Sequence, residues 1–122
     1  MRQSGLTRWL VMVPMKRGEI WWVEFDPSIG SEIRKTRPAI ILSNDAANRN
    51  LARVVVIPLS STITRLYPGE AIVNVGSTQS KAMADQIMAA DKVRLKDRIA
   101  LASRDDMAAV EEAIKVHLGL PR

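Results

Sequence analysis

The chain has 122 residues, enough for one domain with a real core, and its 47% hydrophobic and 25% charged residues are those of a soluble globular protein. It has no cysteine, which excludes a disulfide framework and thiolate zinc sites, and no apolar run approaching the ~18 residues that span a membrane, so a cytoplasmic protein is expected. The net charge of +5 favours a polyanionic partner, most simply nucleic acid.

Residues 1–14 read differently from the rest. Arg2 and Arg8 lie among small polar residues, and a short apolar patch from Trp9 to Val13 stops at Pro14. Five apolar residues are fewer than the 7–15 of a signal peptide, and no small-residue cleavage site follows. Met15-Lys16-Arg17-Gly18 looks like a fresh start. The expectation is an extension over 1–14, flexible or upstream of the native start, and a single domain over 15–122. Without the extension the charge falls from +5 to +3, because Arg2 and Arg8 leave and no acid does.

The first strand is expected over residues 19–25, Glu-Ile-Trp-Trp-Val-Glu-Phe, with Trp21 and Trp22 on opposite faces. Either one indole belongs to the core and the other lies at an interface or ligand surface, or both are buried between two layers. Asp26-Pro27 and Gly30 break this strand. The stretch Gly30-Ser31-Glu32-Ile33-Arg34-Lys35-Thr36-Arg37-Pro38 reads as a polar loop with one carboxylate and three cations. A second strand follows over 39–43, a turn or short helical turn over 44–50, and a β-branched third strand over 54–59. Pro58 suggests that this strand is at an edge or bulged near its end. Beyond a hydroxyl-rich loop (Ser60-Ser61-Thr62) and a turn at Tyr67-Pro68-Gly69-Glu70, short strands are expected over 71–75 and 83–88, with a polar loop over 76–81 between them. A last extended segment lies near Ile99. Ser103 followed by Asp105 and Asp106 starts a helix, Met107, Val110, Ile114 and Leu118 give it an apolar face, and Gly119 and Pro121 stop it. The fold class is α+β, a mainly β barrel or half-barrel closed on one side by the C-terminal helix.

One histidine and no cysteine leave a catalytic transition metal without a ligand set. A Ser-His-Asp triad would have to use His117, on or near the apolar face of the last helix, where a packed or surface role is the ordinary one. No glycine-rich phosphate loop opens a helix. Metal-free chemistry on RNA remains, since RNA supplies its own 2′-hydroxyl nucleophile. It needs a proton acceptor, which Glu32 offers, and donors for the charge on phosphorus, which Arg37 and a hydroxyl of the Ser60-Ser61-Thr62 loop offer.

Arg17-Gly18-Glu19-Ile20-Trp21, Phe25-Asp26-Pro27, Gly30-Ser31-Glu32, Arg37-Pro38-Ala39-Ile40-Ile41, Val56-Ile57-Pro58-Leu59-Ser60-Ser61 and Ala84-Asp85-Gln86-Ile87 occur in an order that resembles the MazF/PemK family of toxin endoribonucleases. The resemblance runs from about Lys16 to Leu120. It implies an SH3-like barrel, a homodimer, and cofactor-free cleavage of single-stranded RNA that arrests translation and growth. It also implies a MazE-like antitoxin as the protein partner of a type II toxin–antitoxin pair. By resemblance Arg37, Ser60 and Glu32 are the catalytic candidates, with Ser60 in the place of the family's usual threonine. Arg34, Lys35, Ser61, Thr62, Asn48, Arg49, Asp85 and Gln86 are the candidate RNA contacts. A His-Arg-Asp set assigned to some relatives finds Ser31, Met83 and Asp85 here, so only the aspartate matches. The alternative is a non-catalytic toxin like the CcdB proteins, which inhibit DNA gyrase by contact.

Overall fold

The computed structural model describes residues 14–25 and 35–122. In chain order they form β1 (Glu19–Phe25), β2 (Lys35–Ile41), α1 (Asp45–Asn50), β3 (Arg53–Ser60), β4 (Glu70–Val75), β5 (Thr78–Met83), a 3₁₀ turn (Ala84–Gln86), β6 (Met88–Asp91), a second 3₁₀ turn (Lys92–Arg94), β7 (Leu95–Leu101) and α2 (Arg104–Leu118). All strand pairings are antiparallel, along the path β4-β5-β3-β2-β1-β7, with β6 added on β3. Among the described residues no ladder joins β4 to β7, so the sheet is wrapped without hydrogen-bonded closure.

Strand alternation divides the core in two. Ile20, Ile40, Ile57 and Leu59 meet Val73 of β4 and Met107, Val110 and Ala113 of α2 in one cluster. Trp21, Val23, Ala39, Ile41, Val54 and Val56 form the other, with Ala90 and Leu95. Successive residues of β1, β2 and β3 therefore feed opposite clusters, which is why these strands read as near-continuous apolar runs. Of the two adjacent indoles Trp21 is core, at 7% exposure, and Trp22 is outside, at 39%.

Helix α2 starts as its sequence indicates. Ser103 accepts the Asp106 N–H at 3.0 Å, and Gly119, at φ 69°, ends it. There Leu120 N–H donates to Lys115 O and Gly119 N–H to Val116 O, closing the last turn. The buried face is Met107, Val110 and Ala113 rather than a stripe reaching Leu118, which lies in the last turn and is exposed.

Four expectations are corrected. β2 begins at Lys35, so Arg37 stands on a strand and not in a loop. Residues 78–81 are not a loop: only Gly76-Ser77 turn, and Thr78–Met83 is a strand in which Thr78 and Gln79 are exposed, Ser80 is buried and Lys81 is half-buried. Met83 ends that strand, and the expected continuation to Met88 is broken by the 3₁₀ turn. Finally, β3 is central, pairing with β2, β5 and β6. Leu42 N–H donates to Val55 O at 2.8 Å, so odd-numbered residues of β3 turn their backbone groups to β2 and even-numbered ones turn theirs to the other side. On that other side β6 pairs with residues 53–56 and β5 with 59–60. Pro58 lacks its N–H where one neighbour has ended and the next has not begun, so its missing donor disrupts no ladder.

Candidate active site

Arg37 pairs with Val23 across β1–β2 and lies on the face of the Trp21–Val56 cluster. Toward β3 the ladder runs Ile41↔Val56, Ile40↔Ile57, Ala39↔Pro58 and then stops. Backbone alternation turns Pro38 toward Leu59, and proline has no N–H to donate. The same register continued two positions sets Arg37 opposite Ser60. Two residues 23 apart in sequence are thus brought to neighbouring strand ends, on one face, where hydrogen bonding between the strands has ceased. Arg37 is half-buried, and among the described residues no carboxylate pairs with it. Its fork of donors is available to an anion.

Ser60 is the half-buried last residue of β3. Its Oγ accepts the Thr62 N–H at 3.2 Å, which leaves the hydroxyl proton to be donated elsewhere. Ser61 and Thr62 follow, exposed, at the start of the 61–69 loop. The cross-strand partner of Ser60 on β5 is Lys81. Its Nζ lies 3.3 Å from each Glu70 carboxylate oxygen and 3.4 Å from Arg65 O. Glu70 also accepts the Tyr67 N–H at 3.0 Å. Sequence reading missed this Lys81–Glu70 pair because the polar stretch around Lys81 resembled a loop. The available signal was the turn Val75-Gly76-Ser77-Thr78 between two segments of hairpin length.

Asp85 and Gln86 are exposed on the 3₁₀ turn that follows β5. This turn packs against β3 beside the unpaired edge at Pro58, and Ala84 N–H donates to Gly69 O at 3.0 Å. Gln86 Nε2 lies 3.7 Å from Met83 Sδ. The turn runs from beyond Ala82, opposite Leu59, to Met88, opposite Val56, so both residues lie along the Ser60 half of β3. Asn48 and Arg49 do not. Helix α1 joins the opposite ends of β2 and β3, and the seven steps from Ser60 back to Arg53 correspond to roughly 23 Å of extended chain. Asn48 is moreover 2% exposed. Its Nδ2 donates to Ser43 O at 2.8 Å, its Oδ1 accepts from Ser43 Oγ, and Lys92 Nζ donates to its carbonyl. It is an internal brace of the turn, its side-chain amide held by Ser43. Lys35 opens β2 opposite Phe25, while Glu32 and Arg34 lie outside the described residues. Among the described residues no group of three His, Cys, Asp or Glu side chains is placed to hold a metal, and His117 packs beside Gly69.

The sequence pattern of the family described as PemK-like, MazF-like toxin of type II toxin-antitoxin system matches residues 16–118. The chain belongs to this family. It is 38% identical over 115 residues to endoribonuclease MazF9 of Mycobacterium tuberculosis, covering 87% of this chain and 98% of that protein. Its fold superimposes on an endoribonuclease from a mycobacterial species with a TM-score of 0.76 at 26% identity, over 91% of this chain and 97% of the other. A mycobacterial endoribonuclease in complex with its cognate antitoxin gives a TM-score of 0.74 at 27% identity, over 88% and 98% of the two chains. The chain is thus a MazF-family toxin endoribonuclease of a type II toxin–antitoxin system with the MazF fold, mainly antiparallel sheet with a short helix and a C-terminal helix. These relatives favour nuclease chemistry over the gyrase-binding alternative. Among its described residues no helix is long and apolar enough to cross a membrane.

Proposed function

We propose that this MazF-family chain cuts single-stranded RNA without a metal, by attack of the RNA 2′-hydroxyl on the adjacent phosphorus. The observation that carries the reading is the Arg37 guanidinium, unpaired among the described residues, at the strand end whose register leads to Ser60. In the reaction the 2′-oxygen bonds to phosphorus and gives its proton to Glu32. Arg37 and the Ser60 hydroxyl donate to the non-bridging phosphoryl oxygens as negative charge builds. The bond to the 5′-oxygen breaks, and that oxygen takes a proton from water. The products are a 2′,3′-cyclic phosphate and a 5′-hydroxyl.

Arg34 and Lys35 draw the RNA backbone in by charge, and Ser61, Thr62, Asp85 and Gln86 line the path of the flanking nucleotides. Cleavage of messenger RNA, with ribosomal or transfer RNA as further targets, stops translation and growth in the cytoplasm. The working form is a homodimer of the 15–122 domain, with 1–14 as an extension. A MazE-like antitoxin segment neutralises it by covering the basic site, a reading supported by the antitoxin complex of a similar endoribonuclease. The test is incubation of purified protein with a long RNA in EDTA, followed by analysis of the ends. Cyclic-phosphate and 5′-hydroxyl ends are expected, with cleavage abolished by a single 2′-deoxy substitution at the cut site. Dependence on added divalent metal, or cleavage of the deoxy-substituted RNA, overturns the mechanism.

A further inference from the structure

A strand of RNA lying across Arg37 and Ser60 must place its neighbouring bases somewhere. Single-stranded recognition commonly provides an aromatic or guanidinium plane for them. The described aromatic side chains offer few choices. Trp21 is buried and its Nε1–H is spent on Glu19. Phe25 is half-buried against the second cluster. Trp22 shares its side of β1 with Ile20 of the first cluster, whereas Arg37 lies on the side of the second.

Tyr67 is different. It is the most exposed of the four, at 54%, and it lies in the loop that begins directly after Ser60. The Arg65 guanidinium carbon stands 5.8 Å from its ring centroid, within cation–π range. The pair is anchored by a chain of contacts that leads back to the proposed site. Ser60 faces Lys81 across β3–β5. Lys81 Nζ reaches Glu70 Oε1 at 3.3 Å, and the same oxygen accepts the Tyr67 N–H at 3.0 Å. Lys81 also holds Arg65 O, and Glu70 N–H donates to Tyr67 O at 2.9 Å, closing the turn. The Lys81 and Glu70 side chains retain only 14% and 12% of their exposure, so the clamp is shielded from water and the platform is held in place before RNA arrives.

We propose that Tyr67, with Arg65 stacked beside it, is a nucleobase-stacking subsite for single-stranded RNA next to the scissile phosphate, positioned by the Lys81–Glu70 clamp. The ligand class is a flanking base of any identity, since every base offers a π-face; the guanidinium adds attraction for the chain's phosphates. This rests on the reading of Arg37 and Ser60 as the cleavage site for its place in the reaction, but its test does not.

The probes are an uncleavable 2′-O-methyl oligouridylate and an abasic sugar-phosphate oligomer of the same length, with binding followed by fluorescence anisotropy on the whole protein. Tyr67→Ala is expected to weaken binding of the oligouridylate by about 5- to 150-fold and to leave the abasic oligomer within about twofold. Tyr67→Phe, which keeps the ring, restores binding. Arg37→Ala lowers both affinities together and preserves the preference for the base-bearing oligomer. The subsite is refuted if Tyr67→Ala changes the two affinities equally, or if Tyr67→Phe is as defective as Tyr67→Ala. It is also refuted if the variant binds both oligomers normally and loses affinity only for an antitoxin peptide, which makes the surface a protein contact. Robust cleavage with an unaltered base preference removes the subsite and leaves the nuclease mechanism standing. The expected preference in a protein that fails to cut removes the mechanism and leaves the subsite.

Discussion

Glu19 opens β1 with a carboxylate that is 5% exposed. Its Oε1 accepts the Lys16 N–H and the Trp21 Nε1–H, each at 3.0 Å, and its Oε2 meets Arg98 Nη1 at 3.1 Å. Replacing it by alanine removes three donors' partner at once, but the three losses are unequal. Lys16 is exposed, so water can take its amide. The Arg98 side chain is 60% exposed, and such a pair contributes at most about 1 kcal/mol. The Trp21 indole N–H is buried and cannot find water, which costs about 1–3 kcal/mol. Together Glu19→Ala is expected to cost about 2–4 kcal/mol. At about 4–8 °C per kcal/mol, that is a fall of roughly 8–32 °C in Tm. Thermal melts followed by circular dichroism, with urea melts beside them, measure it. The indole term is isolated in the Trp21→Phe background, where the donor is already gone and Glu19→Ala should cost about 1–3 kcal/mol less. A Tm loss below about 4 °C, or an equal loss in both backgrounds, refutes the reasoning.

Arg37→Ala is expected to lower kcat by about 10²- to 10³-fold, as removal of a transition-state donor does, with far less change in RNA affinity; an equal fall in affinity with kcat intact would make Arg37 a phosphate anchor only. With no carboxylate paired to it among the described residues, a small stability change is expected, read in the same melts. Asn48→Ala should cost about 2–3 kcal/mol through its lost bonds to Ser43 while RNA binding stays unchanged, and a stable protein with weakened RNA binding contradicts this. The exposed Asp45 carboxyl is held below its usual 3.8, chiefly by the Arg17 backbone N–H it accepts at 2.8 Å. A depressed acid stabilises the fold above its unfolded value and ceases to do so as pH falls through its lower folded value. The stability advantage of wild type over Asp45→Asn should therefore shrink below pH 3.8; a constant difference across that range counts against it.

The inner strands and the last helix were legible because burial writes itself into composition: β3 is β-branched, and Ser103 and Gly119 delimit α2 with groups that backbone geometry demands. β5 was not legible. Its first four residues, Thr78-Gln79-Ser80-Lys81, are all polar: Gln79 is exposed, Ser80 is buried without being apolar, and Lys81 is half-buried on its pair with Glu70, so no apolar alternation marks the strand. The position of Pro58 misled for a related reason. Proline excludes a strand interior only where its N–H has a neighbour to meet, and the neighbours of β3 change at that residue. At the site, Arg37 and Ser60 were legible as chemistry, but their meeting depends on the register of β2 on β3, which no local pattern reveals. Asn48 looked like a surface amide beside Arg49, and only the fold shows its amide consumed by Ser43.

The two ends of the strand path have a consequence for association. A sheet edge invites another chain to add itself as a strand. The β4 end lies against helix α2, which obstructs that approach. Among the described residues no strand pairs with the outer edge of β7, and its middle is Lys96-Asp97-Arg98, all exposed. A foreign strand aligned there would have to strip water from three charges in succession. The fold therefore resists runaway polymerisation through its backbone at either end, and leaves recognition to the side chains on its faces.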